Sequence, residues 1–116
     1  MRKAVAGFLR PGETVHVVFG AMTYSVARAA VTDELGIRGN RYRIFAVTTS
    51  RILVFDAVDP TWKGVWGVVA ELPRSTRLGP PAGFLWHVIP VGKEKLRIHR
   101  RFFNDIRAAD AMSTED

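Results

Sequence analysis

Two runs of strand-forming residues, Arg41-Tyr42-Arg43-Ile44-Phe45-Ala46-Val47 and Ile52-Leu53-Val54-Phe55-Asp56, flank the short polar break Thr48–Arg51. Such a break predicts a tight antiparallel hairpin with strands near 41–48 and 51–57. Upstream, Pro11-Gly12-Glu13 is a turn that launches Thr14–Phe19, where Val15, Val17 and Phe19 share one face of a first strand. Downstream, Pro60 keeps the 59–64 stretch out of any central strand. Strands are then predicted over 65–72, broken by Pro73, over 84–91, and over 96–99 after the turn Gly92-Lys93-Glu94-Lys95. From about Arg100 the period changes from two to 3.6. Phe102, Ile106 and Ala109, with Phe103 and Met112 alongside, make an apolar stripe of about three turns.

Residues 20–40 are the least regular. Met22, Val26, Ala29, Ala30 and Asp33 fall at helical spacing there, which favours a short helix or a long excursion over a strand. Strands first and one helix last predict a mainly β (α+β) fold, an antiparallel sheet or partly open barrel plugged by a C-terminal helix. The organisation expected is a single domain over 9–112, with 1–8 and 113–116 as short terminal segments.

Composition narrows the classes. A chain of 116 residues is most simply one domain, able to bury roughly 65% of its unfolded surface. At 47% hydrophobic it is not of disordered type. The absence of cysteine removes disulfides, thiolate metal sites and cysteine nucleophiles. The apolar run near the N-terminus is interrupted by Arg10 and Pro11 before it reaches the length of a signal-peptide core, and no window has the ~18 apolar residues of a membrane span. The expectation is a soluble cytoplasmic protein, with peripheral attachment at the inner face of the membrane as a variant.

The formal charge of +6 suits anionic membranes, nucleic acids or acidic proteins, and the acidic run Asp110–Asp116 leaves the remainder more basic still. Two basic groups stand out. Arg100 and Arg101, beside His99, begin the predicted helix, where orphan backbone N–H groups and two guanidinium groups together suit an anion. Arg41 and Arg43, two apart on one strand, share a face opposite Tyr42 and Ile44, with Arg38 nearby. Trp62 and Trp66 flank a loop; packing is favoured for them over an exposed anchor, and Trp86 is expected in the core. His16, His87 and His99 lack metal-ligand spacing. No serine sits in a nucleophile elbow, no glycine-rich loop precedes a helix, and no acidic pair suggests acid–base work. A non-enzymatic protein without cofactor or metal is therefore expected.

Several phrases together resemble a bacterial pleckstrin-homology-like domain of the actinobacterial type. They are Leu9-Arg10-Pro11-Gly12-Glu13 before the first strand, Val47-Thr48-Thr49-Ser50-Arg51-Ile52-Leu53-Val54-Phe55 at the hairpin, and Glu94-Lys95-Leu96-Arg97-Ile98 before the helix. The resemblance covers most of 9–112. It implies about seven strands in a bent sheet capped by the helix, and a recognition scaffold. The phosphoinositide pattern of some relatives, a basic residue, a loop, then basic-x-Arg and two hydrophobics, falls on Arg28 and on Arg41-Tyr42-Arg43-Ile44-Phe45. The function expected is binding of an acidic protein segment or other anionic ligand through Arg28, Arg38, Arg41 and Arg43, with Arg100 and Arg101 as a second patch. Association with anionic lipids, with 21–35 as an amphipathic element, is the first alternative, and structural self-association the second. Nucleic acid is disfavoured, because Tyr42 and Phe45 lie on opposite faces and form no paired stacking platform.

Overall fold

In the computed structural model, which describes residues 1–23, 41–58 and 61–112, the strand-forming runs become six strands. They are β1 (Val15–Met22), β2 (Tyr42–Thr48), β3 (Arg51–Ala57), β4 (Val65–Pro73), β5 (Trp86–Val91) and β6 (Glu94–His99). All pair antiparallel in one curled half-barrel sheet of order β4-β3-β2-β1-β6-β5. The hairpin forms as predicted, with Val47 opposite Ile52 and Arg43 opposite Asp56. At its turn the Thr48 hydroxyl oxygen accepts from the backbone N–H groups of Ser50 (3.2 Å) and Arg51 (3.1 Å). That local capture of donors is why a threonine stands at this corner.

The central strands are apolar on both faces because both faces are covered. On the inner face Phe19, Phe45, Val54 and Ile98 pack with Ile106 and Ala109 of the C-terminal helix. On the outer face Ile44, Ala46, Leu53 and Phe55 pack with Val5 and Trp62. Val5 belongs to a one-turn helix, α1 (Arg2–Val5), continued by a 3-10 turn over Ala6–Phe8. The Arg2 guanidinium donates to the carbonyls of Val15 and His16, each at 3.0 Å, and the Phe8 ring meets Phe55 edge-on at 5.1 Å. The first eight residues, expected as a terminal segment, are thus part of the folded body.

The chain leaves β6 through a 3-10 turn, Arg100–Phe102, before α2 (Phe103–Ala111). The helical period is therefore set from Arg100, but the first turn is tighter than α. His99 shapes it by accepting the Arg101 backbone N–H on Nδ1 at 3.1 Å. The far end of α2 is fixed from the β4–β5 connection. The buried Arg74 guanidinium donates to the Ala109 carbonyl (3.3 and 3.4 Å), placing a cation at the negative helix end. The Asp110 carboxylate accepts from the N–H groups of Leu78 (2.8 Å) and Gly79 (2.9 Å).

Six strands are found among the described residues where about seven were expected. A split of 65–72 does not occur: β4 runs unbroken to Pro73 and absorbs two irregularities as bulges, at which the ladder to β3 skips Val69 and Trp66. The expected helix near 21–35 lies mostly outside the described residues. Its first residues, Ala21 and Met22, belong instead to β1, which continues past Phe19 because Gly20, Ala21 and Met22 pair with Ile44, Arg43 and Tyr42. No helix among the described residues is long and apolar enough to cross a membrane.

Candidate functional site

A cleft of about 550 Å3 opens where the end of β1, the start of β2, the loop before β4 and the entry to α2 converge. Its floor begins with a glycine. A side-chain carbon on Gly20 would lie 2.5 Å from the indole of Trp62, so only glycine lets that ring lie against the β1 backbone. Trp62 adopts a φ of 55°, in the left-handed region that costs a tryptophan about 1–2 kcal/mol. Packing holds it there. Its Nε1 donates to the Ala21 carbonyl (3.3 Å), Tyr42 meets the ring edge-on at 6.2 Å and Phe102 at 6.0 Å, and the residue is only 8% exposed. Trp86 closes the opposite side with its ring edge-on to His99 at 5.1 Å.

The rim is cationic. The Arg101 guanidinium sits over the Phe102 ring at 4.8 Å and the Trp62 ring at 5.4 Å. Among the described residues no carboxylate pairs with it. Arg97 lines the same cleft and donates to the carbonyls of Thr23 and Lys95. Burial, with Arg101 and Arg100 beside it, holds the His99 imidazole below the ordinary histidine value of 6.5. The cleft therefore combines aromatic walls with an exposed guanidinium stacked on two rings, suited to an anionic group borne on an apolar body.

The sequence-derived candidates scatter. Arg28 and Arg38 lie outside the described residues. Arg41 is exposed one residue before Tyr42, its backbone N–H donating to Thr23 Oγ1 at 3.0 Å. Arg43 points to the inner face, 6% exposed, and donates to Asp56 Oδ1 (2.7 Å) and to both Glu94 carboxylate oxygens (3.1 and 2.7 Å). Its charge is spent tying β2 and β3 to the start of β6, so it shares no ligand surface with Arg41. Arg100 and Arg101 are both exposed at the helix entry but point to different neighbours, Arg100 to Phe84 and Arg101 to the cleft. Trp62 is packed, as favoured, whereas Trp66 is 73% exposed and Trp86 only half-buried rather than core.

Gly20, Trp62 and Phe102 were missed as site residues. A glycine inside a strand-forming run was the available signal, since it marks a close approach by something bulky. Two of the three phrases that carried the family resemblance turn out to meet. The buried Glu13 carboxylate accepts from Thr48 Oγ1 (2.6 Å), Ser50 Oγ (2.9 Å) and Arg51 Nε (2.9 Å), and Arg51 also reaches Glu71 and the Phe8 carbonyl. This is a structural knot that shares no residue with the cleft. Among the described residues no cluster of His, Asp and Glu is placed to hold a metal ion.

No family model matches the chain, and no curated protein or solved structure is significantly similar to it.

Proposed function

We propose that this chain is a pleckstrin-homology-like, non-catalytic binding module, and that its ligand is an acidic protein segment seated in the aromatic cleft. The observation that carries the reading is Arg101, held over Trp62 and Phe102 at the cleft rim with no carboxylate partner among the described residues. Stacking on two rings orients the guanidinium without consuming its hydrogen-bond donors, which leaves them for a bidentate carboxylate. A volume of about 550 Å3 suits one or two side chains of a peptide, with the apolar one on Trp62 and Trp86 and the acidic one on Arg101 and Arg97. The antiparallel half-barrel with its last helix against the inner face supports the scaffold assignment.

The test is a titration with an acidic hexapeptide bearing one central phenylalanine, followed through the three indole N–H resonances. Trp62 and Trp86 are expected to shift while the exposed Trp66 stays still. Arg101→Glu should remove the response, and a basic peptide of the same length should give none. Equal movement of all three indoles, or none, would defeat the reading.

A further inference from the structure

β4 is an outer strand of the described sheet, and it carries apolar side chains into solvent: Trp66 is 73% exposed, Val69 50% and Val68 44%. Trp66 and Val69 are also the two bulged residues, skipped by the ladder to β3. Between them lies Gly67. A side-chain carbon there would meet nothing within 4 Å, and its φ is not positive, so neither packing within the described chain nor the bulge requires a glycine. A glycine inside a strand costs about 0.5–1 kcal/mol against alanine. Where the chain makes no use of the bare backbone itself, such a glycine marks the close approach of another one. Gly20 shows the same device used internally, by Trp62.

The charges identify the second backbone. From residue 63 to residue 73 the sequence holds one cation, Lys63, and one anion, Glu71, with Gly67 midway between them. An antiparallel second copy, turned about an axis at Gly67, therefore sets Lys63 opposite Glu71 twice, Trp66 opposite Val68 twice, and glycine against glycine at the centre. A two-fold contact has to be self-complementary in this way. Lys63 is exposed, and Glu71, though it accepts from Arg51 at 3.2 Å, keeps half of its side chain exposed. We propose that the protein forms a two-fold dimer with a second copy of itself through β4, the strands side by side at Gly67 and Trp66 the anchor. A tryptophan suits that role. The two bulges interrupt the outer edge, which restrains β4 from adding copy after copy and leaves a closed pair. The contact adds little apolar area beyond Trp66 and the two valines, so it belongs among weak interfaces, with dissociation in the micromolar range. None of the described residues lining the cleft belongs to β4, and the two readings stand independently.

Sedimentation equilibrium over about a hundredfold range of concentration tests it. A monomer–dimer equilibrium is expected, and the Trp66 indole N–H resonance should shift on dilution while those of Trp62 and Trp86 stay still. Trp66→Ser should raise the dissociation constant about a hundredfold, tenfold for each copy. Gly67→Val should raise it about as much while keeping or raising the thermal melt of the dilute protein, since the monomer has room for the side chain. Lys63→Glu and Glu71→Lys should each weaken association about tenfold by setting like charges opposite. An equimolar mixture of those two variants should restore it, because opposite charges then meet at both ends. Should Glu71→Lys lower the melt by crowding Arg51, Gly67→Val and Lys63→Glu carry the test alone. A monomer at every concentration would overturn the proposal, as would a dimer indifferent to Gly67→Val. Loss of the dimer in Gly67→Val without any response to Lys63→Glu would overturn the antiparallel register. A monomer that pellets with lipid vesicles, and loses this in Trp66→Ser, would hand the face to a membrane instead. A peptide response of Trp62 and Trp86 in a protein that stays monomeric defeats the dimer alone, and a dimer without that response defeats the cleft alone.

Discussion

Glu13 is the residue whose chemistry is most completely accounted for. The Arg51 guanidinium, with the Arg10 backbone N–H and the hydroxyls of Thr48 and Ser50, holds its carboxyl well below the usual carboxylate range, against the opposing pull of burial. A carboxyl lowered in the folded state contributes stability that is complete above its unfolded value of 4.5 and is lost as pH falls below it. Chemical denaturation from pH 6 down to pH 3 should therefore show a decline that Glu13→Gln lacks. At pH 7 that variant should be less stable by about 2 kcal/mol, since it removes the charge facing the largely buried Arg51 guanidinium, which among the described residues keeps only Glu71 and the Phe8 carbonyl. Gly20 yields a second outcome at this scale. Gly20→Ala should displace the Trp62 indole, cost about 2 kcal/mol by overpacking, and shift the tryptophan emission to the red. Both residues were visible in the chain, but their meaning was not. Glu13 looked like part of a turn because its partners lie 35 to 38 positions away, and Arg43 looked like a ligand contact because alternation reveals a face without revealing that Asp56 and Glu94 already occupy it.

At the scale of elements, β5, β6 and the last helix were legible because each follows its period, two or 3.6, between clear breakers, and the hairpin because two strand-forming runs flank a polar break. β2 and β3 carry unbroken apolar runs, Ile44–Val47 and Ile52–Phe55, and the structure explains them by covering both faces of those strands. Less was legible where tertiary contacts override the local pattern. β1 is lengthened by pairing with β2 beyond its clean alternation, and bulges rather than a break carry β4 through Trp66 and Val69. The entry to α2 gives a prediction of its own. His99 caps it in the neutral form, and its lowered pKa means that acidification below 6.5 removes stability until the folded-state value is passed. His99→Asn keeps a side-chain acceptor at the cap and should flatten the stability profile just below pH 6.5, with little change at pH 8. That loss begins at a higher pH than the one governed by Glu13, 6.5 against 4.5, so the onsets of the two contributions separate in one titration.

For the whole molecule the decisive fact is a sheet that needs cover on both sides. The helix supplies one cover and the first eight residues supply the other, with Val5 fully buried on Ile44, Leu53 and their neighbours. Val5→Ser should cost about 2 kcal/mol and raise binding of a hydrophobic dye, an outcome foreign to a dispensable leader. Nothing in the local pattern of Met1–Phe8 announced this, because a single buried valine on a one-turn helix has no periodicity to read. The cleft was hidden for a related reason. Its walls come from β1, β2, the loop before β4, β5, β6 and the helix entry, and no one stretch of chain carries more than a few of them.

The knot at Glu13 also works as a two-part key for finding kin. An acid two places after a proline and a Thr-x-x-Arg corner some 35 positions later mean little separately, yet here they are halves of a single object. Descendants of a common ancestor should gain or shed both halves together, and a lineage that has lost the acid should show an uncharged side chain in place of the arginine. A search for that paired substitution is the direct check on whether the two halves are coupled.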